Sequence, residues 1–228
     1  MRLVADLHVH SRYSRATSRE ADLDGYHRWA RIKGIDLVGT GDFTHPAWIE
    51  ELSSRLVEKD GLFVLRDPAA ASAPEGPSPA DRDVRFVLTT EISSIYKKHG
   101  LVRKVHTLVV VRSLEHARRL AARLAAIGNI ASDGRPILGL DPRDLLSMVL
   151  ESAPGGFLIP AHIWTPWFSL FGSRSGFDRI EECFEELTPH IFALETGLSS
   201  DPAMNWRWSA LDRYRLVSNS DAHSPPNL

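Results

Sequence analysis

Cysteine is nearly missing from this chain: among its 228 residues only Cys183 carries a thiol. That excludes an intrachain disulfide and any metal knuckle built on several thiolates, and it fits a reducing compartment. No apolar stretch approaches the roughly 20 residues of a membrane-spanning helix. Met1-Arg-Leu-Val-Ala5 is too short a lead to be the core of a secretory signal. A cytoplasmic location without a membrane partner is the expectation. Neither sign of charge dominates, with 27 Lys+Arg against 29 Asp+Glu and a net charge of −2. Bulk charge therefore neither requires nor excludes a nucleic-acid partner, and the placement of the cations matters more. Internal repeats and a heptad seam are also lacking, which excludes solenoids and coiled coils. A chain of this length with 43% hydrophobic residues can bury one full core without staples. A single domain over 1–228, monomeric, is expected.

What the chain does have is a recurring pattern. Seven short apolar runs carry a His, Asp or Glu at or next to an end: Asp6-Leu-His8-Val-His10, Val38-Gly-Thr-Gly-Asp42, Leu88-Thr-Thr-Glu91, Val105-His106, Ile159-Pro-Ala-His162, Ala193-Leu-Glu195 and Ser218-Asn-Ser-Asp221-Ala-His223. Helical patterns separate most of them. Strands are expected near 3–9, 35–39, 62–65, 84–90, 105–111, 157–161, 191–194 and 215–220. Helices are expected from Asp22 or Asp24 to Gly34, from Pro46 to about Lys59, from Leu114 to Ile127, from Asp141 to about Ser152, over Asp178 to Leu187, and from Asp201. Capping Asp and Ser residues open several of these, and Gly34 and Gly128 close two. Residues 67–83, rich in Ala, Pro, Ser and Gly, read as a flexible insertion. Strands alternating with helices predict a parallel sheet and an α/β barrel of about seven strands. Its site then lies at the C-terminal face of the strands.

Histidines and carboxylates gathered at one barrel mouth are what a metal cluster needs, and they point to a metal-dependent hydrolase. In His8-Val-His10 both imidazoles share a strand face, together with Asp6. Asp221-Ala-His223 repeats the spacing at the last strand, a neighbour of the first in a closed barrel. Glu91 and His162 also end strand-like runs. Burying such groups without a cation leaves polar groups and charges uncompensated. His106, at the start of its strand, reads equally as a ligand or a core histidine. Asp42, after the tight turn Gly39-Thr-Gly41, is either a helix cap or a ligand, and His45 is ambiguous in the same way. Glu195 is expected to orient a histidine rather than bind metal itself.

The strings Asp6-Leu-His-Val-His-Ser-Arg-Tyr-Ser14, Gly39-Thr-Gly-Asp-Phe-Thr-His-Pro46, Thr89-Thr-Glu-Ile-Ser-Ser94, Pro160-Ala-His-Ile-Trp-Thr-Pro-Trp-Phe168, Glu195-Thr-Gly-Leu-Ser-Ser200 and Ser218-Asn-Ser-Asp-Ala-His-Ser224 resemble the polymerase-and-histidinol-phosphatase (PHP) superfamily. Within it they are similar to the endonuclease Q family of DNA repair nucleases. The resemblance implies a distorted seven-stranded, TIM-like (β/α)7 barrel of the PHP type holding two or three divalent metal ions. His8 and His10 would bind one ion with Asp221. Glu91 would bridge to a second, held also by His106 and His162, and Asp42 and His223 would serve a third. Glu91, Asp221 and His223 would carry catalysis, with Asp6, His45 and Glu195 orienting the ligands. Zinc suits the imidazoles best, while manganese or magnesium also suits the carboxylates. Many superfamily members have T-D-H where this chain has Thr40-Gly-Asp42-Phe, and a His where this chain has Ala16. Members of the endonuclease Q family continue into a Cys-rich zinc-binding region, which this chain is expected to lack.

The implied substrate is DNA containing a deaminated base (uracil, hypoxanthine or xanthine) or an abasic site. The bond hydrolysed is the phosphodiester 5′ of the lesion. The alternative is a phosphoesterase acting on a small sugar or nucleotide phosphate. Arg12, Tyr13 and Arg15 follow the first ligand pair, and Lys97, Lys98, Arg103 and Lys104 form a basic stretch suited to phosphates. Trp164, Trp167, Phe168 and Phe171 follow His162, and aromatic planes stack on bases. Ser169 and Arg174 would satisfy polar base edges. The bland readings are a solvated loop for the cations and a hydrophobic lid for the aromatics. Asn205-Trp-Arg-Trp208 reads as helix packing, and the acidic helix as a solvated face.

Overall fold

The computed structural model describes residues 3–67 and 83–228. The insertion expected at 67–83 therefore lies, apart from Asp67 and Asp83, outside the described residues. The elements run β1 (Ala5–Asp6), α1 (Leu23–Lys33), β2 (Leu37–Gly39), α2 (Pro46–Arg55), β3 (Leu56–Lys59), β4 (Leu62–Leu65), β5 (Arg85–Lys98), β6 (Leu101–Val111), α3 (Leu114–Ala125), β7 (Ile137–Leu138), α4 (Pro142–Ser152), β8 (Phe157–Pro160), α5 (Ile180–Phe184), β9 (Ala193–Thr196), α6 (Pro202–Asn205) and β10 (Arg215–Ser218).

Local chemistry explains the helices. Asp22 accepts the amide of Gly25 at the start of α1, and Gly34, at φ 76°, ends it in the left-handed conformation. α1 buries Leu23, Tyr26, His27 and Ala30, one stripe at helical spacing. Ser113 caps α3, which buries Ala117, Leu120, Ala121 and Leu124. Asp141 caps α4, with Pro142 in its first turn. Two helices are shorter than expected. α2 stops at Arg55, because Leu56–Lys59 pairs with β4 as an antiparallel strand. The acidic helix is one turn, α5, followed by a 3₁₀ segment over Glu185–His190 that contains Pro189.

The expectation of a closed, parallel barrel is corrected. β1, β2 and the start of β5 are parallel neighbours, but β6 runs antiparallel to both β5 and β8. β3 and β4 add an antiparallel edge. This gives one large mixed sheet, and β9 with β10 forms a separate parallel pair. The two sheets meet through isolated contacts rather than ladders. Val9 bridges Ala222, and the amide of Ile163 donates to Glu195 O at 3.0 Å. Among the described residues the hydrogen-bonded barrel is thus not closed, yet the Val9–Ala222 bridge does set His8 and His10 beside Asp221 and His223.

The largest departure is a β-hairpin. β5 and β6 stay paired from Leu88–Val111 to Lys98–Leu101. His99 (φ 51°) and Gly100 (φ 75°) turn the chain, both at positive φ as a two-residue hairpin loop requires. The basic stretch read as a loop is therefore a strand pair with two faces. No helix among the described residues is long and apolar enough to cross a membrane.

Candidate metal centre

Six side chains converge in two groups that share Glu91. His8, His10, Glu91 and Asp221 form the first group, and Glu91, His106 and His162 the second, with the donor atoms of each within 4.8 Å of one another. Glu91 faces both ways. Its Oε2 lies 3.3 Å from His10 Nε2 and 3.6 Å from His8 Nε2. Its Oε1 lies 2.7 Å from His106 Nδ1 and 3.2 Å from His162 Nε2. Asp221 Oδ1 completes the first group at 3.1 Å from His10 Nε2.

Strand ends alone do not create this convergence. Asp42 (φ 48°), His162 (φ 29°) and Asp221 (φ 52°) all hold the left-handed conformation, which costs a non-glycine residue about 1–3 kcal/mol. Such strain persists where the surroundings over-determine it. At Gly41 (φ 62°) a Cβ would lie 2.3 Å from Val9 O, so only glycine lets the β2 end pass this close to the first strand.

The donor set fits divalent cations. His8 Nε2 and His106 Nδ1 are buried and face Glu91 without the alignment of a hydrogen bond. Unmet buried nitrogens aimed at a shared carboxylate are what a metal ion satisfies. The other ring nitrogens are held in place. Glu195 accepts from His8 Nδ1 at 3.0 Å, and Asp42 accepts from His10 Nδ1 at 3.1 Å. Once a ring is neutral, each carboxylate favours the tautomer whose Nε2 lone pair points inward. Glu195 also accepts from the amide of His162 and from Asn219 Nδ2, both at 2.7 Å. Glu91 is held well below the usual carboxylate range, because the imidazoles of His106 and His8 outweigh its burial. His8 and His10 are held well above the ordinary imidazole value. Burial would lower both, but Glu195 and Glu91 outweigh it at His8, and Asp42 with Asp221 does so at His10.

The remaining expected residues fall into three sets. Asp42 is in neither ligand group. Its oxygens are taken by His10 Nδ1, the Ser11 amide (2.6 Å), Ser11 Oγ (2.7 Å) and Ser14 Oγ (2.9 Å). These contacts hold it behind the His10 ring, as Glu195 lies behind that of His8. His223 is also outside both groups, with its ring 4.5 Å from that of His10 and Nδ1 bonded to Asp221 O. Asp6 accepts from the amides of Ser220 and His8 and ties the first strand to the last, touching the backbone of His8 and no ligand ring. His45 stacks on Tyr13 at 4.4 Å and bonds Ala131 O, away from the cluster.

The cations divide by strand register. Opposite residues of an antiparallel pair share a face, so Lys97, Lys104, His106 and Glu91 lie on the site face, through the pairs Lys97–Val102, Ile95–Lys104 and Ser93–His106. Lys98 and Arg103 lie on the other face. Lys98 is only 9% exposed and pairs with Asp141 and Glu185. Arg103 donates to Gly176 O and covers the Phe177 ring at 4.3 Å. Both have structural partners and do not face the site. Arg12 is paired with Asp22 and Glu51, and Arg15 with Asp133.

The aromatic run splits as well. Trp164 and Phe171 pack on each other and on Trp208, and Trp164 Nε1 donates to Asn205 Oδ1. That part is a lid, and Ser169 Oγ is turned inside it onto Thr165 O. Phe168 lies 4.7 Å from the His106 ring, and Trp167 is 50% exposed. Lys104 Nζ stands 5.0 Å over Trp167 and 5.3 Å over Phe168. Arg174 is exposed. One residue at the cluster escaped the sequence reading: Arg135, whose Nη1 donates to Glu91 Oε2 at 3.0 Å. It sits in the Asp133-Gly-Arg-Pro136 turn, which ends no strand and carries no periodic signal.

No protein-family model matches the chain. The crystal structure of the lesion-specific endonuclease Q from Pyrococcus furiosus is 32% identical, with a TM-score of 0.79, over 98% of this chain and 49% of that one. A structure of endonuclease Q in complex with a 27-mer duplex substrate, with an abasic lesion at the active site, is also 32% identical. It has a TM-score of 0.78 and covers 97% of this chain and 49% of that one. An uncharacterised Bacillus subtilis protein, YqxK, is 31% identical over 98% of this chain and 55% of its own length. A metal-dependent phosphoesterase structure from Bifidobacterium adolescentis, itself so described only putatively, shares the fold at 15% identity and a TM-score of 0.62, covering 99% of this chain and 90% of that one. The chain thus spans about half the length of its endonuclease Q and Bacillus relatives. Ligand geometry, fold and relatives together support a metal-dependent hydrolase, and the chain is similar to endonuclease Q within the PHP superfamily.

Proposed function

We propose that this chain carries the centre of a metal-dependent DNA repair endonuclease that hydrolyses the phosphodiester 5′ of a deaminated base or an abasic site. The single observation behind this is Glu91, shared by two imidazole groups beside an exposed aromatic and cationic platform. His8, His10 and Asp221 would hold one divalent ion, and His106 and His162 a second, with Glu91 common to both and zinc the best-suited metal. Such ions supply Lewis acidity, activating water and neutralising phosphate charge. This chain's residues do the rest. Asp42 and Glu195 keep the imidazoles oriented. Asp221, 15% exposed at its side chain, takes the proton of the attacking water. His223 stands beside it to protonate the leaving oxygen. The whole set is proposed as one domain whose partner is duplex DNA.

A duplex with one deoxyuridine, deoxyinosine or abasic site, labelled on the lesion strand, tests this directly. A nick 5′ of the lesion, abolished by chelator, is the expected result. Hydrolysis of nucleotide monophosphates without any nick would favour the second reading, a small-molecule phosphoesterase. Arg135 beside Glu91 gives that alternative the phosphate clamp it needs, and the nick decides between the two.

The platform gives two further expectations. Replacing Lys97 and Lys104 together by Ala should weaken binding to all DNA sequences and flatten the salt slope by about 0.9 for each phosphate no longer neutralised. The same change at Lys98 and Arg103 should leave the slope alone. A slope that follows the second pair and not the first would put DNA on the other hairpin face. Trp167→Ala should cost roughly 1–3 kcal/mol of lesion binding, the worth of one base stacked on an aromatic ring. Cleavage of bis-p-nitrophenyl phosphate should survive it. If both activities fall while metal content holds, Trp167 is part of the lid.

A further inference from the structure

A guanidinium stands at this centre that no strand delivers. Arg135 lies between α3 and β7, and its contact is with Glu91 Oε2, the oxygen that also faces His8 and His10. The segment carrying it is fixed on both sides. Asp133 Oδ1 accepts the amides of Arg15 and Arg135. The Gly134 amide donates to Tyr13 O, and the Ser93 amide donates to Pro136 O. Gly134 lies against the site itself, where a Cβ would be 2.3 Å from Asp42 Oδ2. Arg135 is therefore held on a rigid turn, with 28% of its side chain open to solvent.

A cation is costly at this position. Glu91 is the carboxylate that both groups share, so divalent ions seated there would lie close to the guanidinium and repel it. A bound anion removes that cost. A planar guanidinium fork matches two oxygens of a phosphate, which a lysine in its place would not. We propose that Arg135 is the phosphate-binding residue of this centre, contacting a non-bridging oxygen of the scissile ester. Glu91 keeps the side chain aimed at the centre until the anion arrives. This rests on reading the site as a metal-dependent phosphoesterase, and it holds for a polymeric or a small substrate alike.

The test compares Arg135→Ala and Arg135→Lys with the wild-type chain, each loaded with the same divalent metal. Metal content is measured first, then binding of inorganic phosphate by calorimetry, then kinetics on bis-p-nitrophenyl phosphate. Metal content should be unchanged in both variants. Phosphate affinity should fall about 10- to 100-fold in the Ala variant, the range for a charge-assisted hydrogen bond, and less in the Lys variant. Diester turnover should fall about 100- to 1000-fold, and added guanidinium should restore part of it in the Ala variant alone. Phosphate affinity equal to wild type would overturn the proposal. So would metal loss in both variants alongside the phosphate loss, which would make Arg135 part of the metal cradle. Should the Ala variant not fold, the Lys variant carries the test. Weaker phosphate binding at unchanged metal content then supports the proposal, and unchanged binding overturns it. If the wild-type chain nicks no lesion duplex, the endonuclease reading fails while this result stands, because phosphate binding is read without DNA.

Discussion

Glu91→Gln should remove activity altogether, by more than about a thousandfold, beyond the loss of any single preorganised charge-stabilising group. Glu91 is 1% exposed, and its two oxygens divide between the two imidazole groups. Gln keeps the shape but offers one acceptor oxygen, no charge, and an amide N–H₂ turned toward nitrogens or cations. One of the groups then loses its only carboxylate, namely the one formed with His106 and His162. Metal bound per chain should fall with activity when read by elemental analysis. The chain should still fold, with a lower melting temperature, because removing one partner of a buried ion pair costs about 3–5 kcal/mol. Arg135 loses its carboxylate partner too and adds to that loss. A Gln variant that keeps both its metal and its turnover would show that Glu91 is not shared between ions.

Sequence was most informative where strand periodicity and burial act together. His8, His10, Glu91, His162 and Asp221 are legible because such side chains at the ends of apolar runs, with the first and last pairs brought together, have few other physical explanations. The structure gathers them with His106, which the sequence left open between ligand and core histidine. The hairpin was not legible in the same way. Lys97, Lys98, Arg103 and Lys104 look like a solvated loop, since cations are rare inside strands. Yet Ile95, Tyr96 and Val105 continue the ladder, and only the pairing shows that alternate cations face opposite ways. Barrel closure was out of reach because it depends on long-range hydrogen bonds, and here these reduce to isolated contacts such as Val9–Ala222. Arg135 was hidden because its position depends on Tyr13, Asp133 and Ser93, which are scattered along the chain. The role of Asp42 had the same obstacle. The sequence leaves it open between a cap and a ligand, and its contacts with Ser11 and Ser14, which precede it by 31 and 28 residues, appear only in the structure.

That role makes the second large expectation. Asp42→Asn should weaken metal binding about 10- to 100-fold, the usual cost of losing a carboxylate behind a ligating imidazole, while leaving every ligand in place. The amide cannot serve the whole constellation. If its oxygen accepts from His10 Nδ1, its N–H₂ confronts the Ser11 amide, which donates to Asp42 Oδ2 at 2.6 Å in the wild-type chain. The change also carries a pH signature in the metal-free protein. His10 is held well above the ordinary imidazole value, with Asp42 the largest of the charges that outweigh its burial. A raised folded-state value means that the protonated ring stabilises the fold fully below about pH 6.5, the unfolded value. That contribution is lost as pH rises through the folded value. Chelator-treated wild-type protein should therefore lose stability on going alkaline across this window, and the Asn variant should start lower and show a flatter curve. Metal affinity should follow the opposite course, rising with pH as the ion displaces the His10 proton and levelling off earlier in the variant. Denaturant titrations of the chelated protein at several pH values, paired with metal titrations, read both. If the variant binds no metal at any pH, Asp42 is itself a ligand. If it matches wild type throughout, the Asp42–His10 contact has no part in holding the site.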